Sequence, residues 1–327
     1  MQKTLYLTQD EVEDVLDMKS TLEAVENAFK EMGNENIEMP PRVYLHFDKG
    51  VLIAMPAYMP GLNAAGTKIV TVHPDNRKEY DLPAVIARII LNSPENGVPI
   101  AIMDGTYVTA LRTGAAGATG IKYLSREDSE IACICGAGVQ GRSQLLGLME
   151  VRPSIKKIKI YDIVPEAREA FVEQHSKEFT DVEFIGVDSA KEATENSDIV
   201  ITCTPSPEPF VDGAWLKRGA HVSAIGADTG AKRELMTSII KKCDKHVVDF
   251  IPQAFVVGDF KAPKEEGVIT EDDIYAELGE IVAGKKNGRE SPEEITMFKA
   301  TGLAIQDVGT AHKVYQLAKE KGVGKEI

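Results

Sequence analysis

The sequence predicts an α/β protein in which a doubly wound parallel sheet is joined to a second, smaller α+β domain. The chain has 327 residues, which is long for a single hydrophobic core. From about Thr113 to Lys299 strand and helix patterns alternate, which is typical of a parallel sheet covered by helices. From Met1 to about Leu111 strand patterns follow one another without intervening helices, which favours an antiparallel or mixed sheet.

The composition indicates a soluble globular protein and argues against several other classes. Hydrophobic residues make up 43% of the chain and charged residues 27%, both ordinary values. The net charge of −14 argues against a nucleic-acid partner and offers no basic surface to anionic lipid. The acidic N-terminus lacks the apolar segment of a signal peptide, and no apolar run reaches membrane-spanning length. We therefore expect a cytoplasmic protein that does not bind membranes.

The four cysteines predict free thiols rather than a metal site. The chain contains no Cys-x-x-Cys pair and its six histidines are scattered, so we expect neither zinc nor another metal. Buried thiols in a reducing compartment are the simplest interpretation.

The first block opens with a helix start and continues with strand-like segments. Thr8 and Glu11 have the spacing of a capping box. A longer helix follows, with an apolar face built from Leu22, Val25, Phe29 and Met32. Turn signals such as DKG, MPG and ENG separate the strand segments, which are RVYLHF, VLIAMPAYM, AGTKIVTVH, PAVIARIILNS and GVPIAIMDG.

The second block contains a glycine-rich segment between a strand pattern and a helix pattern. Gly136, Gly138 and Gly141 follow the apolar run SEIACIC and precede a helical spacing of apolar residues. A second strand pattern ends at Asp162, about 20 residues past the last glycine. Such glycines permit a tight turn, a close approach to pyrophosphate and close helix–strand packing, while the helix N-terminus attracts phosphate. The segment predicts a Rossmann-type dinucleotide site, against the alternative of a glycine turn without a ligand.

Asp162 also indicates which dinucleotide the site prefers. A carboxylate there accepts hydrogen bonds from ribose hydroxyls and repels the 2′-phosphate of NADP, so NAD is the predicted cofactor. Arg168 offers an alternative contact to a phosphate, but beside two glutamates a solvated helix face is the preferred interpretation. Val139 and Gln140, which lie between the glycines, complete the candidate set at this loop.

Three basic residues stand in apolar or small-residue surroundings within the first block. Arg42, Lys68 and Arg112 lie in PPRVYL, AGTKIV and TALRTGAAG, where a charge is costly unless it is paired. Singly, each fits a strand-edge residue that reaches water, whereas together they fit a clamp for a substrate carboxylate. Asp228 follows a predicted strand in SAIGADTG, which makes it a candidate acid or base, or alternatively a helix N-cap or turn residue.

The remaining patterns define where the domains begin and end. LRTGAAGATGIKYLS is rich in small residues and predicts a close-packed connecting helix. GLAIQDVGTAHKVYQLAKEKG predicts an amphipathic helix that returns to the first domain. We therefore expect a discontinuous domain of residues 1–112 and 301–327, interrupted by a second domain of residues 113–300.

A series of segments, in order along nearly the whole chain, resembles the ornithine cyclodeaminase/mu-crystallin family, in particular its archaeal-type alanine dehydrogenase branch. The segments are MPPRVYL, AMPAY, LPAVIARIILNSPENGVPIAIMDGTYVTALRTGAAG, GAGVQG, AIGADTGAKREL, AELGEIVAGKKNGRE and TGLAIQDV. The resemblance implies a Rossmann NAD(P) domain, and a domain that binds substrate and pairs with its mate in a homodimer.

The resemblance also implies roles for individual residues. Arg42, Lys68 and Arg112 match positions that hold the substrate carboxylate, and Lys68 and Asp228 match positions that act in the chemistry. Lys68 is implied as a proton donor or acceptor. The positions implied to lie near the cofactor are Arg112, Thr113, Thr204 and Asp228.

Ile53, just before AMPAY, departs from the family patterns. Ornithine-cyclising members carry an acid here, and the archaeal alanine enzyme carries an arginine. An apolar side chain cannot pair with the distal ammonium of ornithine, and it leaves the substrate carboxylate to Arg42 and Arg112.

The resulting expectation is reversible, NAD-dependent oxidation of a small L-amino acid, with L-alanine giving pyruvate and ammonia. Two alternatives stay open within the family, an ornithine cyclodeaminase and a cyclic-ketimine reductase. A third alternative is a non-catalytic, mu-crystallin-like binding protein, against which the presence of both Lys68 and Asp228 argues.

Overall fold

The computed structural model describes residues 3–327 of the chain. It divides into unit 1, Met1–Arg112 with Leu303–Ile327, and unit 2, Thr113–Gly302. The chain passes from unit 1 to unit 2 within a helix, since Arg112 and Thr113 are consecutive helical residues.

The helices and strands of the described residues are numbered in chain order. The strands are β1 (Leu5–Leu7), β2 (Val43–Phe47), β3 (Gly50–Met59), β4 (Ala64–Val72), β5 (Val85–Asn92), β6 (Pro99–Asp104), β7 (Ile131–Cys135), β8 (Lys157–Tyr161), β9 (Glu183–Gly186), β10 (Ile199–Thr202), β11 (His221–Ala224), β12 (Lys245–Val248), β13 (Ala276–Glu277), β14 (Thr296–Lys299) and β15 (Lys325–Glu326). The α-helices are α1 (Gln9–Val15), α2 (Met18–Gly33), α3 (Asn76–Tyr80), α4 (Thr106–Leu124), α5 (Val139–Val151), α6 (Pro165–Glu178), α7 (Ala190–Thr194), α8 (Thr237–Lys242), α9 (Ile251–Ala254), α10 (Lys261–Glu265), α11 (Leu278–Val282) and α12 (Ala304–Lys321).

Unit 1 contains a seven-stranded mixed sheet in the order β15-β1-β6-β5-β4-β3-β2. β1 is parallel to β6, and the successive neighbours from β6 to β2 are antiparallel. The five predicted strand segments are confirmed as β2 to β6, and the mixed sheet is confirmed. The sequence patterns missed the short helix α3, which interrupts the run of strands between β4 and β5.

Helix α12 packs against the central strands β3, β4 and β5 of this sheet, and α2 packs against α12. Val25 and Phe29 of α2 are fully buried there, as the predicted apolar face requires, whereas Leu22 is half-buried. The capping box at Thr8 and Glu11 is confirmed at the start of α1. The apolar spacing of α2 thus corresponds to its buried face.

Unit 2 contains an eight-stranded parallel sheet in the order β13-β12-β14-β11-β10-β7-β8-β9. The first five strands of unit 2, β7 to β11, take the positions of a doubly wound sheet, with β7 between β8 and β10. The predicted Rossmann-type parallel sheet is confirmed. The sequence patterns missed β14, four buried residues that insert between β11 and β12.

The small residues of α4 allow the next helix to approach closely. A Cβ atom on Gly114 would lie 2.3 Å from the carbonyl oxygen of Ser143 on α5, and one on Gly147 would lie 2.8 Å from the carbonyl oxygen of Gly114. Larger side chains would separate the two helices, so the predicted close-packed connecting helix is confirmed.

All four cysteines are free thiols. Cys133, Cys135 and Cys243 are buried as predicted, whereas Cys203 is half-buried beside the glycine-rich loop. Within residues 3–327, no helix combines the length and the apolar character that crossing a membrane requires.

Candidate active site

The three glycines of the predicted dinucleotide site occupy the turn between β7 and α5, and each meets a different constraint. Gly136 has φ = +114°, a conformation that residues with a Cβ atom rarely adopt. A Cβ atom on Gly141 would lie 2.0 Å from the carbonyl oxygen of Gly136, so the helix approaches the strand end closely. A Cβ atom on Gly138 would meet no described heavy atom within 4 Å. The backbone at Gly138 is therefore open to a ligand, as a pyrophosphate cradle requires.

The N-terminus of α5 is available to an anion. Gly138 is the N-cap and, among the described residues, no side chain caps the helix there. The N–H groups of the first helical turn lack intrahelical partners, and the helix dipole adds positive potential. Val139, at 71% exposure, and the half-buried Gln140 begin this turn.

Asp162 follows β8, the strand beside β7, and its carboxylate is held next to the glycine-rich loop. One oxygen accepts a hydrogen bond from the N–H of Ala137 at 2.8 Å, and the other accepts from the N–H of Val164 at 2.9 Å. Each carboxylate oxygen can accept a second hydrogen bond. The acid is thus oriented by the backbone and keeps acceptor capacity for ribose hydroxyls.

Arg168 does not lie on the solvated helix face that we predicted. Its side chain is only 13% exposed, donates to the carbonyl oxygen of Val187 at 2.9 Å and pairs with Asp188 at 2.7 Å. The local glutamates suggested a solvated face, but the loop after β9 folds back over this helix and offers better partners.

Thr204 follows β10 and is tied to a buried acid that the sequence analysis did not identify. Both the N–H and the hydroxyl of Thr204 donate to Glu234, at 2.6 and 2.8 Å. Burial and the negative charge of Asp259 raise the pKa of Glu234 to about 7. Thr113, on α4, accepts a hydrogen bond from Gln144 through its carbonyl oxygen at 3.0 Å.

Asp228 lies in an exposed loop four residues after β11, at the carboxyl end of the parallel sheet. Its side chain is 51% exposed and pairs with Lys232 at 2.7 Å. The nearest following helix, α8, begins at Thr237 with Met236 as its N-cap, so Asp228 is not a helix cap. The loop after a parallel strand end is where doubly wound sheets bind ligands.

Lys68 lies in unit 1 on the buried face of the sheet. It is directly opposite Met55 on one neighbouring strand and Ile89 on the other, and all three side chains are nearly inaccessible. Because side chains alternate along a strand, the adjacent Ile69 points to the other face and is 37% exposed. At this point of β4 the charged side chain lies on the buried face and the apolar side chain on the exposed face.

Asp307 on α12 supplies the partner that buried cations require. Its carboxylate, which is fully buried, contacts Lys68 Nζ at 2.8 Å and Arg112 Nε at 2.9 Å. Gln306 accepts a further hydrogen bond from Arg112 at 2.8 Å. Asp307 was not predicted from the sequence, although an acid within the apolar run GLAIQDVG is as unusual as the cations within apolar segments. We name Lys68, Arg112 and Asp307 the ion cluster.

The surroundings of Lys68 bring its pKa close to neutral pH. Burial lowers the pKa of Lys68 from 10.5 to about 7, and the positive charges of Arg112 and Arg42 act in the same direction, while Asp307 opposes them. Near neutral pH, Lys68 can therefore either hold or release a proton.

Arg42 and Ile53 flank the same part of the sheet. Arg42 is half-buried immediately before β2, and its charge acts on Lys68. Ile53 on β3 is opposite Val70, two residues along β4 from Lys68, and therefore shares the face of Lys68. Lys68 and Arg112 are thus joined through Asp307. Arg42 and Ile53 lie near Lys68 in unit 1.

Comparison with known proteins identifies relatives over the full length. The model of the family described as "Ornithine cyclodeaminase/mu-crystallin family" matches residues 2–322. The chain is 45% identical to alanine dehydrogenase of Archaeoglobus fulgidus over 328 residues, covering 99% of this chain and 98% of the relative.

Two solved structures are similar to it throughout. One is Δ1-pyrroline-2-carboxylate reductase of Thermococcus litoralis in complex with NADH and L-proline, at 43% identity and a TM-score of 0.94, covering 99% of this chain and 100% of that one. The other is an archaeal alanine dehydrogenase dimer with bound NAD, at 45% identity and a TM-score of 0.94, covering 99% of both chains. The family resemblance is confirmed: the chain belongs to the ornithine cyclodeaminase/mu-crystallin family.

Proposed function

We propose that this protein is an NAD-dependent oxidoreductase that acts on the C–N bond of a small L-amino acid, and that L-alanine is its substrate. The observation that carries the proposal is the ion cluster. Lys68 and Arg112 share a single carboxylate, so with Lys68 protonated the buried cluster holds an excess of positive charge. A substrate carboxylate would neutralise that excess.

The glycine-rich loop and Asp162 support NAD as the cofactor. Gly138 leaves room for the pyrophosphate, and Asp162 keeps acceptors for the ribose hydroxyls while repelling a 2′-phosphate. The relatives whose structures contain NAD or NADH have the same fold. When bound, NAD accepts the hydride from the substrate Cα atom.

The protein's own residues bind the amino acid and move its protons. Arg112 and Arg42 hold the carboxylate, and this orients the Cα–H bond for reaction. Neutral Lys68 accepts a proton from the substrate ammonium; once this proton has been released to solvent, Lys68 accepts a second one from the water that attacks the imine. Asp228, in the loop after β11 of unit 2, is the second candidate base.

Ile53 favours a small neutral substrate. Its apolar side chain lies on the face of Lys68 and provides no partner for a distal ammonium, which disfavours ornithine. An apolar neighbour also suits a proline-sized ring. Reduction of Δ1-pyrroline-2-carboxylate is therefore the second candidate function, favoured by the similarity to the reductase that binds L-proline.

A substrate panel read at the NADH absorbance tests these assignments. Reduction of NAD by L-alanine, with release of ammonia, supports the first candidate. Oxidation of NADH by Δ1-pyrroline-2-carboxylate, with L-alanine inactive, selects the second. Conversion of L-ornithine to proline without net NADH would instead make the protein a cyclodeaminase. Binding of NADH with no turnover of any of these substrates would favour a binding protein.

The uncovered face of the unit 1 sheet supports a homodimer. Val43, Leu45 and Phe47 of the edge strand β2 are each about half exposed and share this face with Ile69. An exposed apolar strip on an edge strand marks an interaction surface. We propose that a second copy of the chain covers it, as a dimer is described for the archaeal relative. The four free thiols fit a cytoplasmic location, which we also propose.

Leu45→Arg is expected to convert the dimer to monomers, because it places a charge in the middle of the apolar strip. Sedimentation velocity of the variant and the parent measures the change. Thr180→Arg, which adds the same charge at an exposed position of unit 2, should remain dimeric. A Leu45→Arg protein that still sediments as the parent dimer would place the interface elsewhere.

Asp162→Asn is expected to lower the preference for NAD over NADP by about tenfold or more, because the repulsive charge disappears while the shape persists. The ratio of kcat/KM for the two cofactors measures this preference. Asp181→Asn, which removes an exposed charge elsewhere on unit 2, serves as the control. An unchanged ratio in Asp162→Asn would show that Asp162 is not the residue that discriminates against NADP.

A further inference from the structure

A buried network of charged groups lies beneath the loops that follow β10 and β11 in unit 2. Lys299, Asp259 and Glu234 are all fully buried. Lys299 Nζ lies 3.2 Å from an Asp259 carboxylate oxygen. The other oxygen of Asp259 accepts hydrogen bonds from the backbone N–H groups of Glu234 and Leu235, at 2.7 and 2.9 Å. We name Lys299, Asp259 and Glu234 the support network.

Glu234 joins the two loops through its carboxylate. One oxygen accepts from the N–H and the hydroxyl of Thr204, in the loop after β10. The other accepts from the hydroxyl of Thr202 at 2.8 Å and from the N–H of Gly226, in the loop after β11, at 2.9 Å. All four donors depend on two oxygens, so neither loop can shift without breaking hydrogen bonds to Glu234.

Lys299 fixes the backbone next to Asp228. Its ammonium donates to the carbonyl oxygen of Ala227 at 2.7 Å, one residue before Asp228. On the other side, the N–H of Gly258 donates to the carbonyl oxygen of Thr229 at 3.1 Å. Thus the backbone is anchored on both sides of Asp228, although its side chain is exposed.

The location of Lys299 within the sheet indicates a role beyond stability. Lys299 is the last residue of β14, at the carboxyl edge where parallel sheets bind ligands. Lys245, in contrast, is the first residue of the neighbouring strand β12 and therefore lies at the opposite edge. It too is buried, paired with Glu290 and bonded to the carbonyl oxygen of Gly288. Buried ion pairs contribute little net stability, whereas they can specify one geometry.

We propose that Lys299, Asp259 and Glu234 are positioning residues, which hold Thr204 and Asp228 in place for the cofactor and the chemistry. This inference rests on the proposed function. It assigns a task to three buried charged residues for which the proposed mechanism has no direct chemical step, and it predicts different effects for substitution of Lys299 and of Glu234.

The test compares two lysine variants in the full-length protein. Lys299→Met is expected to lower kcat for the amino acid by about tenfold or more, with the Kd for NADH within about threefold of the parent, since the backbone before Asp228 loses its anchor. Lys245→Met removes a buried ammonium at the opposite edge of the sheet, whose partner Glu290 is half exposed, and should lower the Tm yet leave kcat near that of the parent. Lys299→Arg, which keeps the charge, should recover part of kcat.

Glu234→Gln keeps the shape of the side chain but replaces one acceptor oxygen by an amide donor. It should raise the Kd for NADH, measured by fluorescence titration, by about tenfold. The amide nitrogen cannot accept the hydrogen bonds that one of the two carboxylate oxygens accepts, so donors in the Thr204 loop or the Gly226 loop lose their partner. This readout needs no substrate and remains available if Lys299→Met fails to fold.

The possible results distinguish failure of the proposed function from failure of the positioning role alone. A parent protein that neither binds NADH nor turns over any member of the substrate panel overturns the proposed function and this inference with it. An active parent together with Lys299→Met at parental kcat, or with Lys245→Met equally impaired, overturns the positioning role alone. An unchanged Kd for NADH in Glu234→Gln removes Glu234 from the network's function.

Discussion

Lys68→Met is expected to lower kcat for amino-acid oxidation by about a thousandfold or more, since general acid–base groups contribute about 10²–10⁴-fold. The physical reason is that methionine fills the same buried space but cannot accept a proton. It also removes one cation from Asp307, whose remaining contact is Arg112. Stopped-flow measurement of NADH formation gives kcat, and a fluorescence titration verifies that NADH still binds.

Lys68→Arg separates proton transfer from electrostatics. Arginine keeps the positive charge beside Asp307 but does not release a proton at accessible pH. Its kcat should therefore be nearly as low as that of Lys68→Met. Activity within about tenfold of the parent would assign Lys68 to charge alone.

The pKa of Lys68 fixes the sign of the pH dependence. Because the proposed mechanism uses Lys68 as a base in oxidation, kcat/KM should rise as pH increases through about 7, where the ammonium loses its proton. Asp307→Asn removes the attraction that opposes this loss, so the rise should move to lower pH. A profile that does not move would show that Asp307 leaves the titration of Lys68 unaffected.

Asp228→Asn is expected to leave the Kd for NADH nearly intact but to lower kcat by about a hundredfold or more, the range for loss of a general base. The amide keeps the size of the side chain in an exposed loop and removes only the charge. Lys232→Gln is the matched control, because it breaks the ion pair with Asp228 and leaves the carboxylate in place. Asp228→Asn with kcat within about threefold of the parent would transfer the base function to Lys68 alone.

The local patterns of the sequence were sufficient for the glycine-rich loop and most strands. Gly136, Gly138, Gly141 and Asp162 are connected by short stretches of chain, so spacing and the adjacent strand and helix patterns place them correctly. The segments β2 to β6 carry enough apolar and turn residues to be recognised one by one.

The acid of the ion cluster and the members of the support network were not predicted, because most of the residues that they contact are distant in the chain. Lys68 and Arg112 signalled that buried charge needed a partner, but only the packing of α12 on the sheet selects Asp307 among the many acids of this chain. Lys299 meets the loop before Asp228 because β14 inserts beside β11, and a strand of four residues is too short to be recognised from its pattern. Arg168 shows the same limitation, because its partners come from a loop about 20 residues away.

The order of synthesis separates the two cations of the ion cluster from the acid that neutralises them. Lys68 and Arg112 are made early, and the whole of unit 2 must be translated before Asp307 appears. At about 5–20 residues per second, that interval lasts roughly 10–40 s on the ribosome. During it, unit 1 lacks both α12 and a carboxylate for its buried charges, whereas unit 2 is contiguous and can fold. We therefore expect unit 2 to fold first, and unit 1 to become stable only after α12 has been synthesised.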